Sequence, residues 1–355
     1  MRKKKNREVK ITDVKYPNIS IGQDQDGNIV EFKGGVLGQT CKVKITRNRK
    51  DYKKGKYIEL LENSSLENSR NYCPQADICG GCAYQKLPYE TELMLKQDMV
   101  KKLLADNDIC YEDEIPINRS PKVEAFRNKM EYTFGDAYIG GELILGLHRQ
   151  NRFYEIVNTI DCNVIDEDFN TIRSAVQKYF REKNTDFYHK SKKEGLLRHF
   201  IIRKAHRTGE IMAILVTTSD ESFDQIRKKL FVNFLNNVEL NGKIVSIFHV
   251  INDSPADAVV PERVKLLYGK DHITEQMLGL KFNISPFSFF QPNVFTAEKL
   301  YKKALDFAEI DESMNILDLY SGTGTITQVM ASHAKSATGI EIVAEAVEKA
   351  KENAR

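Results

Sequence analysis

The C-terminal part of the chain contains a strand, a glycine-rich loop and a helix in succession, a pattern that few folds accommodate. Residues 314–320 form an apolar stretch that runs into Ser321-Gly-Thr-Gly-Thr325, and a helical pattern follows. A second apolar stretch ends in Glu341, and residues 344–354 again have a helical pattern. Glycines at such a junction let the backbone approach a ligand, and a carboxylate at the end of the next strand suits two ribose hydroxyls. The pattern predicts a βαβα half of a nucleotide-binding sheet.

The residues of this loop favour one nucleotide-like ligand over the others. The third glycine of a dinucleotide motif is missing, because its position is occupied by Thr327, and the chain has no G-x-x-x-x-G-K-[ST] phosphate loop. The pattern that remains is Asp318-x-x-x-Gly322-x-Gly324, followed by a strand that ends in Glu341. S-adenosylmethionine has no pyrophosphate and needs fewer glycines. The sequence therefore predicts a methyl-donor site and leaves a dinucleotide site as the alternative.

A cysteine cluster is the second strong signal. Three of the six cysteines, Cys73, Cys79 and Cys82, fall within ten residues, and a Gly-Gly pair separates the last two. A tetrahedral zinc site or an iron–sulfur cluster would need a fourth ligand, which Cys110 or Cys162 could supply. The C-x5-C-x2-C spacing differs from the short pairs of zinc fingers and is closer to the irregular runs that hold cubane clusters. Buried thiols, or disulfides in an oxidising compartment, are the alternatives.

The N-terminus bears on the compartment. It reads Met-Arg-Lys-Lys-Lys-Asn-Arg-Glu with no apolar run behind it, and it therefore does not resemble a secretory signal. No stretch approaches the ~18 apolar residues of a membrane span. We expect a cytoplasmic protein without membrane contact, in which clustered cysteines bind a metal rather than form disulfides.

The first sixty residues combine positive charge with short strands. Residues 1–57 contain 16 Lys and Arg against 6 Asp and Glu, although the whole chain has a net charge of only +3. Five short alternating stretches with glycine turns, including Asp26-Gly27-Asn28, predict a small barrel in which Cys41 is a core residue. A basic patch on such a barrel is the electrostatic pattern of an RNA-binding module. A solvated charged surface is the alternative.

The middle of the chain alternates helical and strand patterns. Residues 89–106 have a helical stripe, and the length of 355 residues suggests two or three domains. Further strands are predicted at 131–134, 143–147, 200–203, 211–217 and 244–250, and helices at 170–183 and 222–234. Two cationic stretches, Phe126-Arg127-Asn128-Lys129 and 197–203, are candidates for contacts with a phosphate backbone, Arg127 and Lys129 above all. Surface ion pairs are the alternative.

An aromatic junction precedes the glycine-rich loop. Residues 284–293 contain three phenylalanines and Gln291, and a helix is predicted at 297–309. Aromatic faces can stack on a flipped base or on adenine, which makes Phe289 a candidate RNA contact. Core packing is expected for at least two of the three rings. Gln291 is harder to explain in a core because a buried amide needs partners.

Together these residues resemble the RNA uracil-5-methyltransferase family, in its iron–sulfur branch that includes the 23S ribosomal RNA enzymes. The resemblance extends over essentially the whole chain. It rests on the C-x5-C-G-G-C loop, on Arg127-Asn128-Lys129, on S-F-F-Q at 288–291 and on D-L-Y-S-G-T-G at 318–324.

The resemblance implies a multidomain fold that combines α+β and α/β parts. It implies an OB-like TRAM barrel that binds RNA at 1–60, an iron–sulfur cysteine loop at 61–90, a central α+β domain at 91–285, and the first part of a Rossmann-like methyltransferase domain at 286–355. A helix at about 90–120 would pack on the catalytic domain. A monomer with RNA as its partner is expected.

The resemblance also assigns site residues. The [4Fe–4S] cluster would be held by Cys73, Cys79, Cys82 and Cys162, which leaves Cys110 as structural. S-adenosylmethionine contacts are implied for Gln291, Tyr320 and Glu341, with Gly322 and Gly324 in the loop.

The family's chemistry is unusual because uracil C5 is a poor nucleophile. A cysteine thiolate adds to C6, and the resulting enolate attacks the donor methyl group through C5. A carboxylate base then removes the C5 proton, and the cysteine leaves C6. The family's Ser-Cys-Asn-Pro-like nucleophile motif, its Asp-Pro-Pro-Arg-like turn and its C-terminal base are not found up to Arg355. We therefore expect a truncated form of a longer enzyme, without catalytic residues of its own and inactive alone.

Three other functions remain open on the sequence. They are a transfer RNA uracil-5-methyltransferase, a non-catalytic RNA-binding protein with an iron–sulfur or zinc site, and a small-molecule methyltransferase. The last leaves the basic barrel unexplained.

Overall fold

The computed structural model describes residues 6–68, 73–111 and 114–354, which form two compact units. The first unit comprises the described residues up to Arg119 together with 148–153, and the second comprises the rest. No helix within these ranges is long and apolar enough to cross a membrane.

The first unit contains the predicted closed barrel. Its strands, in the spatial order β1-β2-β3-β5-β4, are β1 (Asn6–Lys15), β2 (Ile19–Asp24), β3 (Ile29–Lys33), β4 (Thr40–Asn48) and β5 (Lys53–Glu62). The strands alternate apolar and polar residues, so one face of each fills the barrel. Val9, Val30 and Cys41 are fully buried there, which confirms Cys41 as a core residue.

A single helix, α1 (Tyr89–Ala105), follows the cysteine loop. The predicted apolar stripe consists of Leu93, Leu95, Met99, Leu103 and Leu104. Only Leu93 and Met99 are buried, whereas Leu103 is exposed. The extent to residue 120 implied by the resemblance is wrong. The backbone leaves the helix after Ala105, and Asp108 adopts a left-handed conformation that does not continue a helix.

The second unit is built on a mixed seven-stranded sheet. Its spatial order is β12-β11-β10-β9-β6-β7-β8, and its strands are β6 (Lys129–Gly135), β7 (Ile144–Arg149), β8 (Arg152–Val157), β9 (Leu197–Lys204), β10 (Glu210–Thr217), β11 (Lys243–Ile251) and β12 (Arg263–Gly269). Strands β10 and β11 are parallel. The predicted strands are confirmed, whereas β8 and β12 were not predicted.

Both faces of this sheet are covered. One face packs against α2 (Glu167–Glu182) and α3 (Gln225–Asn236). The other packs against the β13 (Ile273–Met277) and β14 (Leu280–Ile284) hairpin and α4 (Val294–Ala308). Burial on both faces explains why the central strand β10 is almost continuously apolar.

A buried ion network ties α2 to the sheet. The Lys204 ammonium lies 2.6 Å from Asp166 and 2.7 Å from Asp168. Asp168 also accepts hydrogen bonds from the backbone N–H groups of Asn241 and Gly242, at 2.7 and 2.8 Å. Burial alone would raise the pKa of Asp166, but the hydrogen bond from Lys204 leaves it below its usual value. One carboxylate thus joins a helix, a strand and a turn.

The C-terminal βαβα pattern is confirmed. It consists of β15 (Asn315–Leu319), α5 (Thr325–Ala331), β16 (Ser336–Ile340) and α6 (Ala344–Asn353). Strands β15 and β16 pair in parallel, with Asp318 opposite Gly339. The predicted fold class, a barrel followed by α+β and Rossmann-like parts, is therefore confirmed.

Two arginines on β9 contradict the interpretation of residues 197–203 as phosphate contacts. Arg198 and Arg203 are each only 3% exposed. Arg198 donates to the carbonyl oxygens of Asn252, Ser254 and Ala256. Such buried guanidinium groups bind loops of the protein and form no surface ion pairs of the kind considered as the alternative.

Candidate functional site

The glycine-rich loop makes a sharp turn at the end of β15. Tyr320, Gly322 and Gly324 all have positive φ values of 63°, 56° and 74°, and Tyr320 is almost fully exposed. The Ser321 N–H donates to the carbonyl oxygen of Ile340, which fixes the loop against β16. A Cβ on Gly339 would lie 2.8 Å from the Ser321 hydroxyl, so this glycine permits the close approach of strand and loop. Sequence reasoning missed Gly339.

Glu341 directly follows β16, and its carboxylate binds the glycine-rich loop. Its two carboxylate oxygens accept from the N–H groups of Val343 and Gly322, both at 2.9 Å. These two backbone hydrogen bonds, the one from Val343 above all, lower the pKa of Glu341. The carboxylate is therefore ionised at neutral pH. A carboxylate offers about four acceptor positions, so further positions remain for ligand hydroxyls.

Thr327 has a role that its sequence position did not reveal. Its hydroxyl donates to the carboxylate of Asp318 on β15. The residue that replaces the third glycine of a dinucleotide motif thus links the first turn of α5 to the strand, a contact that glycine could not make.

Gln291 is connected to the strand of the glycine-rich loop through a tyrosine on α4. The Tyr301 hydroxyl, which is buried on α4, is hydrogen-bonded to the Gln291 side chain and lies close enough to Asp318 to be affected by its charge. Burial raises the pKa of Tyr301, the hydrogen bond with Gln291 lowers it, and Asp318 raises it. Tyr301 therefore connects the S-F-F-Q segment to the strand of the glycine-rich loop. Sequence reasoning missed it because it is part of a helical apolar stripe.

The Arg127-Asn128-Lys129 segment supports the S-F-F-Q segment. Asn128 is buried, and its side-chain amide donates to the carbonyl oxygen of Gln291 at 2.8 Å. The Asn128 N–H donates to the carbonyl oxygen of Pro292 at 2.9 Å. Arg127 is exposed, whereas Lys129 is half-buried. Burial lowers the pKa of Lys129, and the neighbouring Arg203 guanidinium lowers it further.

The three phenylalanines of the junction differ in exposure. Phe290 belongs to a core cluster and Phe287 packs against it, which confirms the expected core role of two rings. Phe289 is 68% exposed. It is therefore available to a ligand, as its assignment as an RNA contact requires.

The cysteine loop lies in the first unit. Cys79 forms a β-bridge with Arg149, and its sulfur accepts from the Gly81 N–H at 3.4 Å. The Cys73 thiol donates to the Gln75 side chain at 3.3 Å, and Cys82 is exposed. Burial raises the pKa of Cys79, and Cys73 contributes to this shift. None of these cysteines is in a disulfide.

The remaining candidate ligands lie elsewhere in the sequence. Cys162 belongs to the second unit, where it is buried and Asn170 binds both its N–H and its carbonyl oxygen. Cys110, which the resemblance leaves as structural, is exposed. In the described parts of the chain, no three or more His, Cys, Asp or Glu side chains are grouped so as to hold a metal ion.

Comparisons with known proteins agree with this site. Residues 310–355 match a family described as "Methyltransferase domain". An uncharacterized RNA methyltransferase of Clostridium tetani is 42% identical over 355 residues, which are 100% of this chain and 77% of that protein. Another, from Caldanaerobacter subterraneus subsp. tengcongensis, is 42% identical over 98% of this chain and 76% of its own length.

A solved structure has the same fold. It is the Pyrococcus abyssi tRNA (uracil-54, C5)-methyltransferase in complex with S-adenosyl-L-homocysteine, with a TM-score of 0.70 and 23% identity over 98% of this chain and 76% of that one. The fold likeness extends over nearly all of the chain, and the relatives at 42% identity are RNA methyltransferases by name. This chain therefore belongs to the RNA methyltransferase family.

Proposed function

We propose that this chain is part of an enzyme that transfers a methyl group from S-adenosylmethionine to C5 of a uridine in 23S ribosomal RNA. The observation that carries the proposal is the Glu341 carboxylate, held over the Gly322 loop by two backbone N–H groups, with Gln291 linked to the same strand through Tyr301. Transfer RNA is the alternative substrate.

The residues of the site have distinct roles in donor binding. S-adenosylmethionine, when bound, supplies an electrophilic methyl group on a sulfonium centre. Glu341 accepts hydrogen bonds from the two ribose hydroxyls, because the two backbone N–H groups leave acceptor positions on its carboxylate. Gly322 and Gly324 let the backbone approach the ligand, and the exposed Tyr320 covers it. Gln291 supplies an amide to the polar end of the donor.

RNA contacts are proposed for three residues around the S-F-F-Q segment. Phe289 is exposed and stacks on an unpaired base, since aromatic rings bind unstacked bases through their faces. Arg127 is exposed, and no ion pair engages it among the described residues, which suits a contact with a phosphate. Lys129 lies two residues further on, next to Arg203 in the sheet.

An iron–sulfur cluster is also proposed, with Cys73, Cys79 and Cys82 as ligands and Cys162 as the ligand assigned by the family resemblance. The donor set fits the group chemically, because four thiolates are the ligands that such clusters take. The Gly81 N–H directed at the Cys79 sulfur supports this, since N–H···S bonds stabilise thiolate ligands. The cluster would supply structure and RNA positioning.

The function is tested by binding and by nucleoside analysis. We expect the chain to bind S-adenosylhomocysteine, and to bind a 23S ribosomal RNA fragment more tightly than transfer RNA in a competition gel shift. We expect no 5-methyluridine in RNA digested after incubation with labelled donor, because the reaction needs a nucleophilic cysteine. No cysteine follows Cys162 in this sequence, and Cys162 itself is buried in the core between the sheet and α2. Stronger binding to transfer RNA would favour the alternative. Formation of 5-methyluridine would show that this chain is active.

The cluster is tested by metal analysis of protein purified without oxygen. We expect about four irons and four acid-labile sulfides per chain, as in a cubane cluster. Cys79→Ser should lose most of this iron, whereas Cys110→Ser, an exposed matched control, should retain it. About one zinc without sulfide would instead indicate a structural tetrahedral site.

A further inference from the structure

The loop that carries Gln291 is bound by one buried side chain from the central sheet. Arg203 lies on β9, and its Nη1 atom donates to the carbonyl oxygens of Ser285, Pro286 and Ser288 at 2.7, 3.0 and 2.8 Å. Burial lowers the pKa of Arg203 to about 10, which leaves it charged at neutral pH. A charged donor strengthens each of these hydrogen bonds.

This binding matters because the segment has no regular structure of its own. Residues 285–291 lie between β14 and α4 and belong to neither a helix nor a strand. The backbone carbonyl groups of such a segment must find partners elsewhere when they are buried. Arg203 provides them at the start of the segment, and Asn128 provides them at its end, through Gln291 and Pro292.

Arg198, on the same strand, is a matched comparison for Arg203. Arg198 has the same 3% exposure and also donates to three carbonyl oxygens, but these belong to residues 252–256. That segment carries none of the residues proposed to bind the donor or RNA. The two arginines therefore match in strand, exposure and carbonyl acceptors, and they differ in the loop that they hold. Arg198 also lies over the Tyr188 ring, 4.6 Å from its centroid.

We propose that Arg203 is a positioning residue for methyl-donor binding, which acts by fixing the backbone from which Gln291 contacts the donor and Phe289 contacts RNA. This inference rests on the proposed function. Lysine cannot replace arginine here, because its side chain is shorter and its ammonium would not reach the position from which Arg203 Nη1 binds all three acceptors. The Gln291 loop would then sample several conformations, and donor binding would have to select one of them.

The experiment compares Arg203→Lys with Arg198→Lys in the full chain. Thermal unfolding reports the structural loss, and calorimetric titration with S-adenosylhomocysteine reports donor affinity. We expect both variants to lose thermal stability to a similar extent. We expect the dissociation constant to rise about tenfold in Arg203→Lys, equivalent to ~1.4 kcal/mol, and to stay within about twofold of the wild type in Arg198→Lys.

The outcomes separate the two proposals. If the wild-type chain does not bind S-adenosylhomocysteine, the proposed function fails. If it binds and the two lysine variants have equal affinities, only the positioning role is overturned. Should Arg203→Lys fail to fold, Asn128→Asp replaces it, since a carboxylate cannot donate to the Gln291 carbonyl oxygen. That variant should show the same loss of affinity, and an unchanged affinity would overturn the inference.

Discussion

Replacing Glu341 with glutamine is expected to weaken S-adenosylhomocysteine binding roughly 10- to 100-fold, the effect of losing charged acceptors for ribose hydroxyls. In the wild type, the N–H groups of Gly322 and Val343 orient the carboxylate. Glutamine would place an amide NH2 group against one of these donors, so the side chain would rotate away from the ligand. Glu341 is thus expected to contribute to both the charge and the geometry of the site.

The measurement is a calorimetric titration, with Glu345→Gln as the matched control. Glu345 is an exposed glutamate in the first turn of α6, only four residues further along the chain. We expect this control to bind the ligand as the wild type does. Because the pKa of Glu341 is lowered, wild-type affinity should be constant from neutral pH down to the ordinary range of a glutamate. Equal affinities for both variants would contradict the assigned ribose contact.

Asp168→Ala is expected to lower the free energy of unfolding by about 3–5 kcal/mol, the usual cost of removing one partner from a buried ion pair. Asp168 is only 2% exposed, and it binds Lys204 and the N–H groups of Asn241 and Gly242. Alanine would remove the acceptor of the Asn241 and Gly242 N–H groups and would leave Lys204 with Asp166 alone. The junction between α2, β9 and the 241–242 turn would therefore lose its common partner.

Urea denaturation measures this change, with Glu182→Ala on the same helix as the control. Glu182 is exposed and lies 3.9 Å from Lys178, so its loss should cost under about 1 kcal/mol. The pKa of Asp166 is lowered in the folded protein, so its stabilisation is fully present above the unfolded value of about 3.9 and is lost as the pH falls further. Equal effects of the two alanine variants would mean that the network is not a determinant of stability.

The C-terminal βαβα segment was predictable because its signals are local. Strand, glycine turn and helix follow one another in the sequence. The observed β15 and β16 differ by only one residue at each end from the strands predicted at 314–320 and 337–341. The same locality placed Gly322, Gly324 and Glu341 at the same end of the β15–β16 pair. Their chemistry requires neighbours that this short segment itself provides.

The β13–β14 hairpin was missed because a charged residue occupies a core position. Glu275 is fully buried between Ile273 and Met277, which removes the apolar alternation that predicts a strand. Its carboxylate accepts from the N–H groups of His206, Arg207 and Gln276. Burial raises the pKa of Glu275, although these hydrogen bonds oppose the shift. Partners nearly seventy residues away cannot be read from the sequence around Glu275.

The cationic stretch on β9 was misread for the same reason. The acceptors of Arg198 and Arg203 are main-chain oxygens 54 to 85 residues further along the chain, and no residue type marks them. Tyr301 was missed because its helical position indicates packing and not hydrogen bonding. For the cysteine loop, the spacing predicted a metal site, and both the site and the identity of its metal stay predictions.

The long-range hydrogen bonds of the Gln291 loop also bear on how the protein is made. Ribosomes synthesise the chain from its N-terminus, and early segments can fold while later ones are still being added. Asn128 precedes Gln291 by 163 residues, and Arg203 precedes Ser285 by 82. Arg203 lies on β9 and Asn128 directly precedes β6, so both partners can be in place before the loop leaves the ribosome. The sheet then acts as a template on which the nascent loop takes its final conformation.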